Sequence, residues 1–143
     1  MYQVTAIALI ILLAIASSAK GNESKGLEAP QIEAGTYILV SFSMNNQSLR
    51  NYFLEAQQHG AILVMQGLAG ERHSRNRFAE TKAKTEEAKI NIEINPTIFE
   101  QLNVKQVPVI AVVNGAGRVR KVSGHITLNK ALEIMEIKNE AKG

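Results

Sequence analysis

Three short runs in this chain are apolar at consecutive rather than alternate positions: 37–43 (YILVSFS), 61–65 (AILVM) and 107–113 (VPVIAVV). A strand with apolar side chains on both faces needs cover on both, and a chain supplies it by packing helices above and below a sheet. The runs are too short for buried helices and are rich in β-branched residues, so they read as central strands. A fourth run differs: Ile90, Ile92 and Ile94 alternate with Asn91 and Glu93, which predicts a strand with one buried face.

Between these runs the apolar period lengthens to that of a helix. Leu49, Tyr52, Phe53 and Ala56 form one stripe, with Asn45 and Asn46 as candidate N-caps and Gly60, after His59, as the stop. Residues 74–89 favour helix but are polar. Glu80 and Lys84 are spaced for an i,i+4 pair and Phe78 is the only large apolar anchor, which predicts a lightly packed surface helix. Asn95 before Pro96 restarts a short helix that carries Phe99 and Leu102 inward. Asn114-Gly115 ahead of Gly117 marks a hairpin into 118–122, and Leu128, Ala131, Leu132 and Met135 share one face of a last helix starting near Thr127. The order predicts an α/β fold of thioredoxin-like type, with a mostly parallel central sheet, a C-terminal β-hairpin and helices on both faces.

Residues 6–16 read AIALIILLAIA and precede Ser17, Ser18 and Ala19. A bilayer core of about 30 Å needs about 20 apolar residues, so this shorter run reads as a signal peptide over 1–19, cleaved after Ala19. No Lys or Arg precedes it, which leaves an uncleaved anchor beginning at Tyr2 as the alternative. The expected division is signal 1–19, flexible lead-in 20–34, a single domain 35–138 and a polar tail 139–143, with no membrane insertion after signal removal. The chain contains no cysteine, which excludes thiol-disulfide catalysis and leaves the core alone to hold the domain. A net charge of +3 is a modest basic balance that does not indicate nucleic acid.

Four segments, taken in order, resemble the TrbC family of type-F conjugative transfer proteins, which are periplasmic pilus-assembly components of type IV secretion systems. They are Ser41-Phe42-Ser43-Met44 leading to Ser48-Leu49-Arg50; Met65-Gln66-Gly67-Leu68; Ile92-Glu93-Ile94-Asn95-Pro96 with Phe99, Val104, Val107 and Pro108; and Gly124-His125-Ile126-Thr127-Leu128 with Ala131-Leu132. Two positions depart from the family pattern, which commonly has Arg where this chain has Gln66 and Asp where it has Asn95. Asn caps about as well as Asp, whereas Gln66 lacks a charge that an Arg would offer a partner. The resemblance implies a periplasmic location, a thioredoxin-like fold without the redox pair, a cis bond at Val107-Pro108 and cooperation with a TraW-like protein partner in pilus assembly. A general periplasmic peptide-binding or chaperone-like module on the same redox-inactive fold is the alternative.

The resemblance places the thioredoxin dithiol turn at 43–46, facing the residue before Pro108. Met44, Asn45, Gln66, Val107 and Pro108 are therefore candidate partner-binding residues, able to take an extended peptide by strand-like pairing. The competing reading makes Met44 a loop residue tucked under the helix and Pro108 a requirement of the fold. Arg72, Arg75 and Arg77, with His73, concentrate positive charge at the start of the polar helix, where the macrodipole is also positive. They are either a patch for an acidic partner or a phosphate head group, or a solvated loop and helix face. Arg118, Arg120 and Lys121 read as charges protecting an exposed strand. His59, His73 and His125 have no carboxylate or second His at ligand spacing, no Ser has an activating motif, and no Gly-rich loop cradles phosphate. The expectation is a non-enzyme with no catalytic residue, metal or cofactor.

Overall fold

The computed structural model describes residues 32–140, with side chains described through Glu136. The signal segment 1–19 and the lead-in up to residue 31 lie outside the described residues. The strands are β1 (Gly35–Val40), β2 (Ile62–Met65), β3 (Glu93–Ile94), β4 (Val109–Val113) and β5 (Val119–Ser123). Interleaved with them are α1 (Asn46–His59), α2 (Arg77–Ala88), α3 (Pro96–Gln101) and α4 (Leu128–Glu140). One five-stranded sheet has the order β3-β2-β1-β4-β5. β1, β2 and β3 pair in parallel, while β4 is antiparallel to both β1 and β5, so β4 alone runs against the others. This is a thioredoxin-like α/β arrangement.

The consecutive apolar positions divide between the two faces as the pleat requires. Ile38, Val40, Leu63, Met65 and Ile110 point to one side, where they meet Leu49, Tyr52 and Ala56 of α1 and Leu128, Ala131 and Met135 of α4. Tyr37, Leu39, Val64, Val109, Ala111 and Val113 point to the other and meet Ile98 and Phe99 of α3 together with Leu102.

Local chemistry sets the ends of the elements. The Asn45 side chain accepts from the Ser48 N–H at 2.8 Å, and Gly60 closes α1 with φ +64°. The Asn95 side chain accepts from the Ile98 N–H at 3.2 Å ahead of Pro96. In the β4–β5 turn, Asn114 Oδ1 accepts from both Ala116 and Arg118. The start of α4 is held from α1: the Leu128 N–H donates to the Glu55 carboxylate, and the Tyr52 hydroxyl donates to the Ile126 carbonyl at 3.0 Å.

Three expectations need correction. Phe78 does not anchor α2, because its side chain is 80% exposed. Glu80 and Lys84 do not pair: Glu80 accepts from Ser74 Oγ, Lys84 leans over the Phe42 ring, and the i,i+4 pair on this helix is Lys82–Glu86 at 3.9 Å. The alternating isoleucines form only a two-residue strand. β3 pairs with Val64 and Met65 alone, so Ile90 is buried ahead of the ladder, Ile92 packs partly on the core and Ile94 stays exposed.

Candidate functional site

The carboxyl ends of parallel strands are where an open α/β sheet leaves a crevice. In this fold the ends of β1 and β2 open into a cleft of about 1120 Å³. Its walls are the turn after β1 (Ser41, Phe42, Ser43), the loop after β2 (Gln66 to Arg72), the inner edge of α2 (Arg77, Lys84), and the segment before β4 (Val104 to Val107) with Phe99 beneath it.

The loop after β2 owes its position to α2. Arg77 Nη2 donates to the Leu68 carbonyl at 2.7 Å and Arg77 Nε to the Ala69 carbonyl at 3.3 Å. Thr81 Oγ1 accepts from the Ala69 N–H at 2.9 Å while donating to the Arg77 carbonyl at 2.6 Å, and Thr81 is the one polar residue counted as buried among the described residues. Gly70 adopts φ +85°, a backbone conformation that favours glycine, and a β-carbon there would push the Glu80 carboxylate aside. Glu80 is tied in turn to Ser74 Oγ at 3.1 Å.

The turn after β1 leads into the segment at which the resemblance puts the thioredoxin dithiol. It contains Ser41 and Ser43, whose hydroxyls lie 3.0 Å apart, and the Ser43 N–H donates to Ser41 Oγ at 3.2 Å. No histidine lines the cleft. Among the described residues no group of three or more His, Cys, Asp or Glu stands where it could hold a metal ion.

Four of the eight candidate residues meet at the cleft: Gln66, Arg72, Arg77 and Val107. The other four lie elsewhere. Met44 is partly buried against the core, Asn45 caps α1, Arg75 is exposed outside the cleft and Pro108 is fully buried. The Val107–Pro108 bond is cis, as the resemblance implies. The Val107 backbone has no hydrogen-bond partner among the described residues, whereas the Pro108 carbonyl accepts from Gly124. Arg77 is no free patch residue, since its guanidinium carries the loop. Lys121 likewise does more than guard an edge: its Nζ donates to the Leu102 carbonyl at 2.6 Å just past α3, where a cation complements the helix end.

The cleft residues without a functional assignment from sequence include two cations, Lys84 and Lys105. Lys84 sits 5.9 Å from the centroid of the Phe42 ring, within reach of a cation–π contact. The helical repeat carries the signal for it, because positions 77, 81, 84 and 88 form one stripe of α2. Lys105 has no such signal. It reaches the cleft because the chain turns there between α3 and β4.

No helix among the described residues is long and apolar enough to cross a membrane. No curated protein matches the chain. The solved structure of MTB DsbF in its mixed oxidized and reduced forms is similar with a TM-score of 0.45 and 13% identity, covering 70% of this chain and 76% of that one. Residues 38–135, from the second half of β1 to the buried face of α4, match the model of the type-F conjugative transfer system pilin assembly protein. This chain therefore belongs to the TrbC family of type-F conjugative transfer system pilin assembly proteins.

Proposed function

We propose that this protein is a non-enzymatic assembly factor for a type-F conjugative pilus, working in the periplasm by holding a TraW-like partner protein in its cleft. One observation carries the binding part of this reading. The turn that the resemblance equates with the thiol site of a thioredoxin, residues 43–46, holds Ser, Met and two Asn in a chain without cysteine, yet the cleft beside it keeps an unpaired backbone edge at Val107. An unpaired N–H and C=O in an accessible groove offer main-chain pairing to an extended segment, with flanking side chains to select it. Family membership supports the pilus-assembly role, and the apolar run at 6–16 supports export.

The test is affinity capture of the tagged full-length chain from the envelope of donor cells, with mild cross-linking and mass spectrometry of bait and prey. The proposal expects a bait that begins at Lys20 and one TraW-like protein dominating the prey. A bait that keeps Met1, with many unrelated extended proteins as prey, would replace it with a tethered holdase.

A further inference from the structure

The charges around the cleft say what kind of segment fits it. Its ionisable lining consists of Arg72, Arg77, Lys84 and Lys105 against a single carboxylate, Glu71. Arg72, Lys84 and Lys105 are exposed and come from three separate parts of the chain. No carboxylate pairs with any of the four cations among the described residues, since the ion pairs there are Lys82–Glu86 and Lys130–Glu133. Glu80 does not line the cleft and accepts a hydrogen bond from Ser74 Oγ. A groove lined by one sign of charge concentrates ligands of the other sign. We infer that the cleft binds an extended acidic segment of a partner protein, its carboxylates meeting Arg72, Lys84 and Lys105 while its backbone lies along Val107.

This inference rests on the partner-binding reading above and adds the chemistry of the bound segment. A single-stranded nucleic acid is also anionic, but binding it without sequence preference relies on open aromatic faces for base stacking. The two aromatic residues of the cleft offer little of that: Phe99 is 3% exposed, and Phe42 is half-buried with the Lys84 ammonium over its ring. The unpaired backbone at Val107 suits a peptide instead.

The full-length chain is titrated with fluorescent peptides of one length in Glu/Ser, Gln/Ser and Lys/Ser versions, and with a single-stranded oligonucleotide. The Glu/Ser peptide should bind tightest and weaken as salt is added. The triple variant R72Q/K84Q/K105Q should lose about tenfold or more of that affinity at low salt with its thermal midpoint unchanged, and R118Q/R120Q on β5 should bind as the parent does. Equal affinity for Glu/Ser and Gln/Ser, an unaffected triple variant, or tighter binding of the oligonucleotide overturns the inference. Pilus output from donor cells lacking the chain separates the two claims. Lost output with no acidic preference overturns this inference alone, whereas acidic preference with normal output overturns the assembly reading and leaves the chemistry of the cleft.

Discussion

α1 and α2 lie side by side and are held by opposite kinds of force. α1 buries Leu49, Tyr52 and Ala56 in the core and has a side-chain cap at one end and a left-handed glycine at the other. α2 has no side-chain cap, puts its one large apolar residue into solvent, and buries only Thr81 and Ala88. Most of its specific attachments are polar and end on the loop after β2. One helix completes the core. The other fixes a loop and brings Lys84 to the cleft, so its sequence is set by what it holds rather than by what it buries.

The contrast breaks most readily at Leu49. Leu49→Ala empties a side chain that is almost fully buried and should cost about 3 kcal/mol, read as a lowered midpoint in chemical denaturation with loss of the whole fold. On α2, Thr81→Val keeps the shape but leaves the Ala69 N–H without its acceptor. It should cost about 1–2 kcal/mol and speed hydrogen exchange at Ala69 far more than at core strand amides. Gly70→Ala forces a side chain into φ +85° and displaces Glu80. It should cost about 1 kcal/mol and loosen the loop while the far-UV spectrum stays unchanged.

A smaller effect sharpens the α1 side by pH. Burial first, and the Glu55 carboxylate second, raise the Tyr52 hydroxyl above its ordinary value of 10.0. The folded state therefore favours the neutral phenol. The stabilisation this gives is complete below pH 10.0 and is lost as pH rises through the raised value. Tyr52→Phe should flatten that part of the alkaline stability profile. The smallest effect belongs to Phe78. Phe78→Ser should change stability by less than about 0.5 kcal/mol, and a larger loss would mean that the residue packs as an anchor after all.

The same contrast explains what was legible in the sequence. Runs such as ILV at 38–40 and VIAVV at 109–113 announce strands covered on both faces, and the caps at Asn45 and Asn95 act within three residues of themselves. Local signals of this kind survive in one dimension. The reversed direction of β4 does not, because a helix precedes it just as one precedes β2 and β3. Phe78 stands out in the sequence as an anchor for α2, whereas a hydrogen bond between Arg77 or Thr81 and a loop backbone has no periodicity. For the same reason the arginines at 72, 75 and 77 looked like one patch, although the fold sends one inward, one to the rim and one away. The cleft was half legible: Gln66 and Val107 stand at strand ends named by the resemblance, while Lys84 and Lys105 meet them only through tertiary structure.

The central claim is that partner contact occurs in the cleft held open by α2 and not on the outer face of α1. Photo-cross-linking residues placed singly at Gln66, in the cleft, and at Leu54, exposed on α1, test it in donor cells. The account predicts a cross-link to a pilus-assembly protein from position 66 and none from position 54. The same adduct from position 54, with position 66 silent, would contradict it.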